Sequence, residues 1–93
     1  MDDDLQDRLK RAAAVLKQHG ASEVYVFGSA ARGELDEWSD VDIAVSGLPP
    51  EVFFDAMGRA GDIVGRQIHL IRLDRPNPFT EHLRQQGKLV RVA

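Results

Sequence analysis

Cysteine is absent from the 93-residue chain, which excludes a disulfide framework and a thiolate metal centre. Aromatic residues make up only 6% of it. Unbroken apolar runs are a few residues long, far short of the roughly 20 that a helix needs to cross a bilayer. The opening Met1-Asp2-Asp3-Asp4 is acidic, whereas a signal peptide begins basic and then turns apolar. A basic excess is missing too: 12 Lys and Arg stand against 15 Asp and Glu, for a formal charge of −3. Proteins that live on duplex DNA or RNA draw much of their affinity from neutralising phosphates. Neither a stand-alone nucleic-acid binder nor a membrane protein is therefore expected, and the absences together predict a cytoplasmic protein.

What is present is ordinary for a folded domain, with 43% hydrophobic and 29% charged residues. This length accommodates one modest core, so residues 1–93 are expected to form a single domain. Leu5, Leu9, Ala12, Ala13 and Leu16 recur at three- and four-residue spacings and predict an amphipathic helix over 4–19, closed by His19-Gly20. The acidic Asp2-Asp3-Asp4 run favours the start of that helix through its dipole. Val24 to Phe27 is a β-branched and aromatic run that predicts a buried strand. Ser29 to Ser39 predicts a short helix and then a loop, and Asp40 to Ser46 a second strand. Pro50 opens a helix expected to end near Gly58. Gln67 to Leu73 is the third expected strand. Asn77-Pro78 supplies cap and first turn for a helix to Gly87, and Leu89 to Val92 a short last strand. Helices and strands alternating in so small a unit predict an α+β (α/β two-layer) fold, a small mixed sheet flanked by helices.

The second expected strand carries the chemistry. Side chains alternate across a strand, which sets Asp40 and Asp42 on one face and Val41, Ile43 and Val45 on the other. Two carboxylates so placed can grip a hard cation, and no Lys or Arg within the strand neutralises them. Magnesium suits such a pair, with water and substrate phosphate completing its shell. Upstream, Gly28 permits close backbone approach where a strand runs into a helix start, and free amides there favour anionic oxygens. Ser29 adds a hydroxyl donor and Arg32 a charge one turn on. Phosphate-binding turn and then acidic pair fits a metal-bound nucleoside triphosphate. The bland alternatives are a loop acid at Asp40, a solvent-facing Asp42, a turn glycine at Gly28 and a helix cap at Ser29. The last two are compatible with phosphate binding. Trp38 either packs under the loop or lies at a partner surface.

On these residues the sequence resembles the minimal nucleotidyltransferases of the DNA polymerase β superfamily, which carry Gly-Ser, ten residues and then Asp-x-Asp. Here Gly28-Ser29 is followed by ten residues and Asp40-Val41-Asp42. Val26-Phe27 before, Ala30-Ala31-Arg32-Gly33-Glu34 after and Ile43-Ala44-Val45 beyond agree as well. The resemblance implies that Gly28 and Ser29 engage the triphosphate. It implies too that Asp40 and Asp42 bind divalent metal, magnesium or manganese, as catalytic ligands. ATP would be the substrate, AMP the group transferred and pyrophosphate the leaving group. Small free-standing domains of this family are commonly antitoxins of HEPN-domain toxins, so a HEPN-domain protein is the implied partner. The chain has no length for a substrate-holding domain, so the acceptor is expected to be held by a partner or by another copy in a homo-oligomer. One departure stands out. The family usually has a third carboxylate on the next strand, and Ile68-His69-Leu70-Ile71 sets His69 in that place. Imidazole can serve there as general base or as metal ligand, although it is a poorer ligand for magnesium. A binding module that neutralises its partner by steric contact is the alternative this departure motivates. A P-loop ATPase is excluded by the missing G-x-x-x-x-G-K-[ST].

Overall fold

In the computed structural model of the protein, residues 3–34, 39–74 and 78–93 are described. Trp38, Asp2 and the expected cap Asn77 lie outside them. The chain opens with helix α1 (Asp3–Gln18). The i, i+4 ion pairs Asp4–Arg8 and Asp7–Arg11, at 3.0 and 3.4 Å, line its wet side. Leu5, Leu9, Ala12, Ala13 and Leu16 form its buried stripe, as their spacing predicts. Then come strand β1 (Glu23–Phe27), a short helix α2 (Gly28–Arg32) and strand β2 (Val41–Ser46). A 3₁₀ turn (Pro50–Val52) leads into α3 (Phe53–Val64), followed by strand β3 (Ile68–Arg72), helix α4 (Pro78–Gln85) and strand β4 (Val90–Arg91).

One expected boundary is wrong by more than a turn. The helix that begins after Pro50 does not stop at Gly58 but runs on to Val64. Gly58 sits on the exposed side, where nothing lies within 4 Å of the space a Cβ would take. A glycine inside a helix costs about 1 kcal/mol relative to alanine. Burying Ala56, Ala60 and Val64 on the face packed against α1 outweighs that cost. Gly65, with φ +76°, is the actual stop, and its N–H returns to the Gly61 carbonyl at 2.8 Å. The other elements depart from expectation by one or two residues at their ends. The departure that bears on function is β2, which begins at Val41 and leaves Asp40 just outside the strand.

The four strands form one sheet in the order β3-β2-β1-β4. β1 runs antiparallel to β2 and β4, whereas β2 and β3 are parallel, with α3 as the crossover that a parallel pair requires. The expected class, a small mixed sheet with flanking helices, is the one observed. Alternation divides the side chains cleanly. Val24, Val26, Val41, Ile43, Val45, Ile68 and Leu70 join the core beneath α1 and α3. Phe27, Ala44 and Ile71 join a smaller cluster with Leu73 and Leu83, the latter on α4. Asp42 and His69 belong by alternation to this second, thinly covered face. Among the described residues no helix is long and apolar enough to cross a membrane.

Candidate active site

Pairing on both sides of β2 fixes the surroundings of Asp42. Phe27, the last residue of β1, stands opposite it on one side and His69 of β3 on the other. Its side chain is 27% exposed, so the carboxylate is reachable yet held. One oxygen, Oδ1, lies 3.3 Å from Nδ1 of His69. The other, Oδ2, lies against Gly28, where a Cβ would come within 2.5 Å of it. Gly28 also has φ +62°, a left-handed conformation in which a side chain is strained. The positive φ favours glycine here, and the close approach couples the β1–α2 turn directly to the metal-binding candidate Asp42.

The turn carries the next two candidates. Ser29 is half-buried at the start of α2, and the Arg32 guanidinium reaches its hydroxyl through Nη2 at 3.5 Å. Nε of Arg32 donates to the Glu34 carboxylate at 2.9 Å. Glu34 carries a role that the motif alone did not suggest: it steers the arginine back over Ser29.

Asp40 is exposed and forms no hydrogen bond to another described residue. Its segment is nevertheless fixed. Nη1 of Arg66 donates to the Ser39 carbonyl at 3.2 Å, and the Val41 amide donates to the Gln67 carbonyl at 3.2 Å. The entry to β3 thereby pins the entry to β2. The structure therefore brings Gly28, Asp42 and His69 into contact, sets Ser29 and Arg32 beside them, and leaves Asp40 two residues before Asp42 at the exposed rim. Asp74, just after β3, is engaged elsewhere. Its carboxylate accepts the Gly47 amide at 2.8 and 3.1 Å, just beyond the opposite end of β2.

Among the described residues no three His, Asp or Glu side chains form a ready-made metal cage. Magnesium does not require one, because one or two carboxylates suffice when water and substrate phosphate supply the remaining oxygens. The hollow above Gly28, which any Cβ would fill, leaves Asp42 Oδ2 on the side of the Gly28-Ser29 turn. The donors present thus fit a hard divalent cation whose shell the substrate completes.

A cavity of about 510 Å³ opens from this point between α2, α4 and the approach to β4. Gly28, Arg32 and Asp42 lie in its lining together with Phe79, Leu83 and Lys88. Sequence reasoning missed the last three, having read Phe79 and Leu83 only as part of a helix and assigned Lys88 to no element. The available signal was Phe79, four residues ahead of Leu83 on the apolar stripe. A hollow of about 560 Å³ beside Met57, Gly61 and Arg66, where α3 passes into β3, contains none of the motif residues. Elsewhere on the sheet, the Tyr25 hydroxyl donates to the Glu23 carboxylate, which holds the phenol pKa above its ordinary range.

Known proteins share this fold. One solved structure, named as a minimal nucleotidyltransferase, superposes with a TM-score of 0.81 at 25% identity, covering 97% of this chain and 95% of that one. A chain of a toxin–antitoxin complex with AMP-PNP gives a TM-score of 0.72 at 18% identity, over 90% of this chain and 72% of that one. A chain from the complex of a tri-AMPylated Shewanella oneidensis HEPN toxin with its MNT antitoxin gives 0.68 at 18% identity, over 96% and 71%. At that identity the last two show a shared fold. No curated protein matches by sequence. The family described as "Polymerase beta, Nucleotidyltransferase" matches residues 10–92, nearly the whole chain from mid-α1 to the residue after β4, and the protein belongs to that family.

Proposed function

We propose that the protein is a metal-dependent nucleotidyltransferase that moves AMP from ATP onto a HEPN-domain partner in the cytoplasm and acts as its antitoxin. The observation that supports this reading most is the close approach of Gly28 and Asp42, which sets the acid we assign to the metal against the turn we assign to phosphate. Gly28 and Ser29 receive phosphate oxygens, and Arg32, held over Ser29, adds positive charge. Asp40 and Asp42 hold magnesium or manganese. When bound, the cation supplies Lewis acidity at the α-phosphate and offsets charge on the departing pyrophosphate. The acceptor hydroxyl oxygen bonds to the α-phosphorus while the bond from that phosphorus to the α–β bridging oxygen breaks. Pyrophosphate leaves with the electron pair. His69, with Nδ1 toward Asp42, has Nε2 available to accept the hydroxyl proton. The acceptor then approaches from the β3 flank and the nucleotide from the β1 flank.

The HEPN partner is supported by the solved complexes of similar fold, one of which contains a tri-AMPylated HEPN toxin. The experiment is to incubate the domain with a folded HEPN-domain partner, ATP and magnesium, then weigh the partner by mass spectrometry. An AMP-sized increase is expected, and an unchanged mass sinks the transfer reading.

A second reading has its own observation. His69 occupies the side of Asp42 where the family usually carries another carboxylate, so a cation there meets one fewer negative charge. A catalytically weakened nucleotide-binding module that neutralises its partner by steric contact would fit. Asp40→Ala combined with Asp42→Ala separates the two. Full neutralisation by the double variant favours the steric module, and its loss favours transfer.

A further inference from the structure

We infer that the cavity between α2 and α4 is a nucleobase subsite in which a purine stacks on Phe79. The inference rests on the nucleotidyltransferase reading and adds to it the part of the substrate that the phosphate-and-metal motif does not touch.

Three large hydrophobic residues are exposed among those described: Phe54, Phe79 and Val90. Two of them, Phe79 at 50% and Val90 at 48%, line the same cavity as Gly28, Arg32 and Asp42. A single exposed apolar side chain is ordinary, whereas two that line one cavity form an apolar patch of the kind that marks a ligand groove. The buried Phe27 meets the Phe79 ring at a centroid distance of 6.0 Å and an angle of 70°. It steadies that ring by an edge contact without stacking on it. An aromatic surface is therefore fixed in place and left open to a flat ligand.

Charge along the cavity specifies the other end of that ligand. Arg32 and Lys88 lie in the lining, and Asp42 is the one carboxylate among its described residues. The fitting ligand is anionic toward Gly28 and Arg32, and planar and apolar toward Phe79 and Val90. A nucleotide has that polarity, whereas inorganic phosphate or pyrophosphate would leave the apolar end wet. The volume of about 510 Å³ falls within the roughly 300–1,000 Å³ of small-molecule sites. Two fused rings cover more of an aromatic face than one, so purines are preferred over pyrimidines.

The test is calorimetric titration of the whole chain with the magnesium complexes of ATP, CTP and inorganic tripolyphosphate. Wild type is expected to bind ATP more tightly than CTP, and CTP more tightly than tripolyphosphate. Phe79→Ala should weaken ATP on the order of 10-fold, in line with the loss of one base–aromatic stack, and leave tripolyphosphate unchanged. Phe79→Trp should restore ATP binding. ATP and tripolyphosphate weakened alike, or ATP unaffected by Phe79→Ala, would overturn the subsite while leaving the phosphate-and-metal reading intact. The second of these results would mean that something other than the base, such as a partner side chain, covers Phe79. If Phe79→Ala does not fold, the wild-type series decides alone, and equal affinity for the three ligands overturns the inference. Wild type that binds none of them removes both the subsite and the reading beneath it.

Discussion

The two faces of the sheet are built from the same strands yet differ in nearly everything else. Beneath α1 and α3, Val24, Val41, Ile43 and Val45 pack on Ala12, Leu16, Ala56, Ala60 and Val64, all at 2% exposure or less. The other face carries Phe27, Ala44 and Ile71 under the short α4, and leaves Asp42 and His69 open to solvent. Each strand alternates, so one residue step separates a core methyl from a solvent-reachable carboxylate. The dry face makes the domain stable. The thin face is where a polar cluster can remain wet enough to bind a ligand and rigid enough to orient it. On this comparison, damage to one face should show in stability and damage to the other in function.

The largest separation is expected at Asp42. Asp42→Asn keeps the volume of the side chain and removes the charge that, on the proposed function, holds a cation, so the proposed AMP transfer should fall on the order of 1,000-fold, about 4 kcal/mol. Thermal stability should hold or rise, because a partly buried carboxylate is relieved. A parallel loss of melting temperature would show that Asp42 is structural. Leu16, fully buried under the opposite face, should behave in the converse way. Leu16→Ala is expected to cost about 2–5 kcal/mol in denaturant titration. That is a large share of the roughly 5–15 kcal/mol that a small domain possesses. Nucleotide affinity of the molecules still folded should not change.

Gly28 sits between these extremes and should report on both. Gly28→Ala strains a positive φ, at about 1 kcal/mol or somewhat more, and drives its methyl into the Asp42 carboxylate. A modest fall in stability with a disproportionate loss of magnesium-dependent ATP binding is expected. Loss of stability alone would mean that Asp42 can turn aside without consequence.

How much of this was legible in the sequence follows the same division. Local periodicity exposed the dry face: the α1 stripe and the alternation of β2 were read residue by residue, and every member expected inside is inside. The spacing of Gly28-Ser29 from Asp40 and Asp42 was legible because a fixed motif needs no knowledge of the fold. What escaped depends on contacts between distant elements. Gly58 looks like a stop signal until α1 is known to pack along Ala56, Ala60 and Val64. Asp40 looks like a strand residue until β3 is seen to begin its pairing at Val41. The cavity beside Phe79 exists only because α4 folds back over Phe27, and nothing in the 78–85 segment itself shows that its neighbour is the Gly28 turn. The approach of Gly28 to Asp42 is of the same kind. Two motif positions fourteen residues apart are in contact because β1 and β2 pair antiparallel, with Phe27 opposite Asp42.

The smallest expected effect lies at the wet rim of the stable layer and tests whether that layer is held by packing or by charge. Asp55 of α3 accepts a hydrogen bond from Nε of Arg59 at 3.0 Å and lies 3.1 Å from Nε2 of His19, a contact that links α3 to the end of α1. The Arg59 hydrogen bond first, and that of His19 second, hold the Asp55 carboxyl below its ordinary pKa of 3.8. A carboxyl depressed on folding contributes stability that is present above its unfolded pKa and lost as pH falls through the folded value. Wild type should therefore be slightly more stable than Asp55→Asn at neutral pH, with the gap closing below about pH 4. Exposed pairs of this kind contribute little and are screened by salt, so high salt should narrow the gap as well. Melting curves of the two proteins at pH 7, 5 and 3, with and without added salt, measure it directly. A gap that does not narrow at all from pH 5 to pH 3 would mean that Asp55 acts through packing or helix propensity. A gap as large as that of Leu16→Ala would mean that the dry face depends on its rim far more than its buried stripe of alanine, valine and leucine implies.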